Sequence, residues 1–260
     1  MIQQHILPRW RGFNLPDAVG MDSPGFFQEE DFEMIADLGF DFVRLPVNYR
    51  FWAGEDPFSI QESNMAFLDD AVSWGDRYGL HVNLALHRAP GYCVARNPPE
   101  PFDLFADEPS LELARQGQTA QSCRGYLPKG ITHYMAEWVR DYQSLPAPQW
   151  PDSPERPKST VLWNSEMLFQ HYQAWASLSD IYGIGIHCGE GGCYNRTPHP
   201  VALHWMEDWL NALRCANIGY ALWNLRGDFG ILDSKRDDAA YTKYHGHLLD
   251  KKMLRLMLKY

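Results

Sequence analysis

Residues 181–192 read IYGIGIHCGEGG. An amphipathic stretch ends just before Gly183, a residue that accepts the left-handed cap of a helix at no steric cost. A short apolar run follows at once and reads as a buried strand that ends in Glu190. The same order recurs at Leu38-Gly39 before FDFVRLPV, at Tyr78-Gly79 before LHVNLALH and at Ile218-Gly219 before YALWNL. Helix, glycine and strand in repetition describe an α/β chain with parallel strands.

The helices between these runs are legible from their spacing. Phe27, Phe32, Ile35 and Leu38 form one stripe, and Leu68, Ala71, Val72 and Tyr78 a second. Trp205, Met206, Trp209, Leu210 and Leu213 form a third, entered at Thr197-Pro198. Two strands without a glycine lead-in are expected at 9–15 (RWRGFNL) and 118–124 (QTAQSCR), which makes six. A TIM-barrel-type (β/α) repeat closes with eight. The reading is therefore a single domain over 1–260 with about six βα units, an incomplete barrel. Segments 88–117 and 125–160 offer no buried strand. The stretch LPAPQWPDSPERP (145–157) holds five prolines in thirteen residues and reads as a long loop on the ligand face, a lid.

Composition excludes several classes. The chain has 260 residues, 45% hydrophobic and 22% charged, enough for a sizeable core. Its formal charge of -10 argues against nucleic acid or an anionic membrane as partner. No apolar run reaches the length of a membrane span. The start, MIQQHILPRWRGF, lacks a charged-then-apolar leader, so the expected compartment is cytoplasmic or unassigned. Five cysteines form an odd, sparse set that fits reduced thiols. Neither HExxH nor a metal-type Cys/His spacing is present, and there is no GxGxxG, P-loop or GxSxG, so neither a metal nor a cofactor is expected. Ten Trp and thirteen Tyr build a core and leave aromatic faces for flat ligands.

In barrels of this type the chemistry sits at the C-terminal ends of the strands. Those ends carry Asn14, Arg44, His87, then Tyr126, His133 and Tyr134 after the 118–124 run, then Glu190, and finally Trp223 and Asn224. Glu190 follows an apolar strand and is flanked by Gly189, Gly191 and Gly192. A carboxylate so placed is either a nucleophile or base, or a solvated loop residue. Arg44, inside an apolar run, needs a carboxylate, either Glu190 or a structural partner. His87 is a ligand contact or a satisfied core histidine. His245-Gly-His247 reads as surface, and Cys188 and Cys193 lack a redox spacing.

Taken together, RWRGFNL, GFDFVRLPVNY, GLHVNLALHRAPGY, GITHYMAEWV, GIHCGEGG and GYALWNLRGDFGILDS resemble glycoside hydrolase family 5, retaining (β/α)8 glycosidases that include cellulases and β-glucanases. The resemblance runs through the chain in order. It implies Glu190 as nucleophile, Arg44 orienting it, and His87, His133 and Tyr134 as catalytic neighbours. It implies Trp223 as the sugar platform, with Asn14, Tyr126 and Asn224 as further substrate contacts. The implied ligand is a β-linked oligo- or polysaccharide.

One departure stands out. The family's Asn-Glu-Pro acid/base motif is absent, and the chain passes from HRAPGYC almost directly to AQSCRGYLP. A βαβ unit needs about 30 residues, so strands four and five are missing. Asn164-Ser165-Glu166 is no substitute, because LWNSEMLFQHYQAW is helical and leads into the next strand. Replacement acids are sought among Glu100, Asp103, Asp107, Glu108 and Asp228. The expectation is a retaining β-glycosidase with impaired acid help. The alternative is a non-catalytic carbohydrate-binding protein on the same scaffold. An open strand edge invites pairing, which points to a homodimer covering the gap.

Overall fold

The computed structural model describes residues 7–20, 26–53, 59–93, 99–100, 103, 106, 108 and 120–260. The chain divides into two compact units, residues 14–119 and residues 1–13 with 120–260. The boundary falls within the first strand, β1 (Arg11–Asn14).

The unit of residues 14–119 contains α1 (Glu29–Asp37), β2 (Phe42–Asn48), α2 (Ala66–Tyr78), β3 (His81–Ala89) and the short β4 (Tyr92–Cys93). Both helices end as the glycines foretell, with Gly39 and Gly79 at φ 87° and 69°. Phe32 of α1 meets Trp74 of α2 edge-on, ring centroids 5.5 Å apart. β2 is buried along its whole length and runs parallel to β3, from Phe42 opposite His81 to Val47 opposite Leu86. β3 departs from the expectation of a buried strand. Arg88 is its one buried residue, and Leu84 and Leu86 are 47% and 52% exposed. On the side away from β2 it pairs with β4 through Arg88 and Ala89 alone. Apolar content marks residues suited to burial, but burial also needs a neighbouring layer, and most of β3 lacks one among the described residues.

In the other unit the parallel order is β1, β9 (Gly219–Leu222), β8 (Gly185–Gly191), β5 (Ala120–Gly125). All six expected strands are therefore present, counting β2 and β3. Around them lie α3 (Lys129–Thr132), β6 (Ser153–Pro154), β7 (Leu162–Trp163), α4 (Ser165–Tyr182), α5 (His199–Cys215), the hairpin β10 (Tyr241–Tyr244) and β11 (His247–Asp250), and α6 (Lys251–Lys259). Asn164 caps α4 by accepting from Met167 N–H (3.0 Å), and Gly183 ends it at φ 65°. Glu166 is therefore a first-turn residue of the helix that leads into β8, as the sequence implies.

The α5 stripe forms the centre of this unit's core. Trp205 and Trp209 are fully buried and stack at 5.3 Å with planes 9° apart. Trp209 Nε1 donates to the Tyr172 hydroxyl of α4 (2.9 Å), so neither polar atom is stranded. Burying one large side chain of this kind contributes about 1.5–3 kcal/mol.

Two expectations need correction here. The left-handed residue before β9 is Asn217 (φ 54°), not Gly219. Gly219 is required for another reason, since a Cβ there would lie 2.3 Å from the Trp10 carbonyl oxygen. The proline-rich stretch 145–157 is no lid. Leu145 and Trp150 are buried, Trp150 Nε1 donates to Asp208 of α5 (2.8 Å), and Ser153–Pro154 pairs antiparallel with β7. Prolines kept helix and strand signals out of this stretch without loosening it. His245 and Gly246 form the turn of the β10–β11 hairpin, and His247 Nδ1 lies 2.6 Å from Asp233 Oδ2.

Candidate active site

β8 is longer by one residue than both of its neighbours across the segment that ends in Glu190. Against β5, Cys123 faces Cys188 and the next residue, Arg124, faces Glu190, two residues further on. Against β9, Cys188 faces Tyr220 and Gly191 faces Leu222, again one residue in excess. This is a β-bulge, which re-aims the side chains that follow it. Strict alternation would put Cys188 and Glu190 on one face. Instead Cys188 points to Tyr172 and Cys123, where burial pushes its thiol well up. Glu190 is turned to the face that carries Arg124.

The Glu190 carboxylate is ion-paired with the Arg124 guanidinium. Its side chain is 4% exposed, whereas that of Arg124 is 45% exposed. This excludes the solvated-loop reading of Glu190. A carboxylate withdrawn from water needs such a partner to stay ionised and fixed. The main chain of Arg124 is tied down as well, because the Tyr172 hydroxyl donates to its carbonyl (3.4 Å). The glycines around Glu190 have a packing cause. A Cβ on Gly125 or Gly191 would meet the Trp209 ring at 2.5 or 2.4 Å. Gly192, at φ 125°, adopts backbone that side chains resist.

Beyond β5 the rings of Tyr126, His133 and Phe229 gather, with centroids 5.1 Å (Tyr126–His133) and 5.8 Å (His133–Phe229) apart. The Thr132 hydroxyl donates to the Tyr126 carbonyl (2.7 Å) and lies 2.8 Å from His133 Nδ1. With its one proton so used, the hydroxyl accepts Nδ1–H, and Nε2 keeps a lone pair. Burial, reinforced by the Lys129 ammonium, pushes His133 down to about 4. The ring is neutral at neutral pH and can accept a hydrogen bond. Tyr134 is half-buried. Trp223 is half-buried at the end of β9, where its N–H donates to the Gly191 carbonyl (2.9 Å). The neighbouring Asn224 Oδ1 is buried and accepts no hydrogen bond from the described residues.

In the unit of residues 14–119, Arg44 Nη1 donates to Asn14 Oδ1 (2.7 Å), both side chains being buried. His87 lies half-buried on β3. Glu100 is disqualified as a replacement acid. Arg88 and Arg50 pair with its Oε1, and the Tyr49 hydroxyl donates to its Oε2 (2.8 Å). A general acid must offer one oxygen to a leaving group, and both of these are engaged. Asp103 and Glu108 are exposed, and Asp107 lies outside the described residues. Asp228 accepts from Asn195 Nδ2 (3.0 Å).

Sequence reading passed over Arg124, Tyr194 and Phe229. The signal for Arg124 was the one used for Arg44, an arginine within a strand that must find an anion. Among the described residues no group of three or more His, Cys, Asp or Glu is placed to hold a metal ion. No helix among them is long and apolar enough to cross a membrane.

No protein-family model matches the chain. A solved structure described as a glycoside hydrolase is 26% identical, with a TM-score of 0.84 over 96% of this chain and 99% of that one. The endoglucanase Cel5A from Thermotoga maritima is 17% identical, with a TM-score of 0.71 over 95% and 96% of the two chains. A sporulation-specific glucan 1,3-beta-glucosidase of Saccharomyces cerevisiae is 44% identical over 70 residues, 25% of this chain and 15% of the relative. The chain therefore matches well under two thirds of that curated relative's length. Its fold is that of the TIM-barrel-type glycosidases, with six parallel strands among the described residues where a closed barrel has eight.

Proposed function

We propose that the chain is a retaining β-glycoside hydrolase of the family 5, cellulase and β-glucanase type, with Glu190 as its nucleophile. The observation that carries this reading is the buried Glu190–Arg124 pair at the bulged end of β8. The ionised carboxylate attacks the anomeric carbon, the glycosidic oxygen departs with the bonding electrons, and water later hydrolyses the glycosyl ester. Trp223 offers the sugar a ring to stack on, with Asn224 beside it as a further contact. Tyr126 and His133 follow the C-terminal end of the neighbouring β5, and Tyr134 follows them. The matching motifs support Arg44, Asn14 and His87 as further members of the machinery. Substrates are β-linked oligo- or polysaccharides. With no Asn-Glu-Pro acid in the chain, cleavage favours leaving groups that depart without a proton.

Intact mass after incubation with an activated 2-deoxy-2-fluoro β-glycoside tests the proposal. A single adduct mapping to Glu190 supports it. Oligosaccharide binding without any adduct would point instead to a non-catalytic carbohydrate binder.

We further propose that a second copy of this chain covers β5, which ends the strand order. The helix α4, whose Tyr172 hydroxyl donates to the Arg124 carbonyl of β5, exposes Ile181 and Tyr182 by 67% and 66%. Light scattering showing monomer alone at high concentration would remove this proposal.

A further inference from the structure

His133 also borders a cavity of about 380 Å³. The cavity has an aromatic wall. Trp138 is 61% exposed, yet its ring is fixed by edge contacts to Tyr194 (4.8 Å) and His133 (6.3 Å). A large indole held in place and left in water is the usual platform for a sugar face. The charge of the lining is distinctive. Lys129, Arg140 and Arg156 line it against a single anion, Asp141. Asp141 is already occupied, with Lys158 Nζ 3.0 Å and Arg140 Nε 3.9 Å away. The side chains of Lys129 and Arg156 have no partner among the described residues. In a chain with a formal charge of -10, such a local cationic excess is a departure from the general surface.

We propose that this cavity is a subsite for a sugar carrying an anionic substituent, a carboxylate or a sulfate ester, stacked on Trp138 with Lys129 and Arg156 facing its charge. The proposal rests on the glycosidase reading of Glu190, and deepens it to a substrate that bears acidic sugars. The neutral His133 contributes the Nε2 lone pair, which suits a sugar hydroxyl and does not compete for the anion. Arg156 brings a planar fork of donors that fits an oxyanion, and Lys129 a point charge.

Calorimetric binding to the full chain tests it with three oligosaccharides of equal length and β-linkage: one neutral, one containing a uronate and one sulfated. The anionic ligands should bind about fivefold to tenfold tighter than the neutral one at low salt. High salt should shrink that preference. The double variant Lys129→Gln/Arg156→Gln should lose the preference, and Trp138→Ala should weaken all three ligands. A better uronate assigns the carboxylate, and a better sulfated sugar assigns the ester. Equal binding of neutral and anionic sugars by the unaltered protein, or a preference that survives in the double variant, overturns the subsite. Failure of the Glu190 adduct with an intact anionic preference would refute the hydrolase reading alone. An adduct without the preference would refute this inference alone.

Discussion

Arg124 and Glu190 face each other across the β5–β8 ladder and form an ion pair with the carboxylate buried and the guanidinium half in water. Replacing Arg124 by Gln removes this cation from a buried carboxylate. Because Arg124 is partly solvated, the expected stability loss is about 1–2 kcal/mol, less than for a fully buried pair. Turnover of an activated aryl glycoside should fall by about 10²-fold, the usual worth of one preorganised electrostatic partner. Arg124→Lys should recover part of both. Urea unfolding and kcat/KM would decide, and an unchanged kcat/KM in Arg124→Gln would remove the guanidinium from the machinery.

Gly191→Ala should destabilise the protein by about 1–3 kcal/mol, because the new Cβ meets the buried Trp209 ring at 2.4 Å and the core there cannot yield. Trimming the ring with Trp209→Phe in the same chain should recover part of the loss. A shift in thermal midpoint reads both, and additive losses would show that the clash is not the cause.

Stability should fall in acid through His133. Burial pushes its imidazole down to about 4, with the Lys129 ammonium adding to the effect. The unfolded chain takes up that proton near pH 6.5. Between those values the unfolded state binds more protons, so this stability is complete above about pH 6.5 and is lost as the pH falls to about 4. The full loss is about 3 kcal/mol. Urea unfolding at a series of pH values should show this slope, and His133→Phe should flatten it.

Asp208→Ala removes the acceptor for Trp150 Nε1 and should loosen the proline-rich stretch from α5. A cost of about 1 kcal/mol is expected, together with faster proteolysis within residues 145–157. If that stretch is as readily cut in the unaltered protein, the anchored description is wrong.

The sequence by itself determined the elements. Apolar runs behind glycines located β2, β3 and β8, and the 3.6-residue stripes located α1, α2 and α5, because burial and backbone conformation act on neighbours in the chain. It also marked Glu190, through an ionisable residue at the end of an apolar run. Tertiary structure alone decided what surrounds that carboxylate. The bulge at Gly189 overturns the two-residue alternation and is set by pairing with β5 and β9, so no local pattern announces it. That residue 191 must be glycine follows from Trp209 of α5, whose ring a Cβ there would meet. Glu100, a candidate replacement acid by sequence, is closed off by Arg88, Arg50 and Tyr49. Local order follows from each residue's own chemistry and spacing, whereas partners depend on which distant segments the fold brings to the same place.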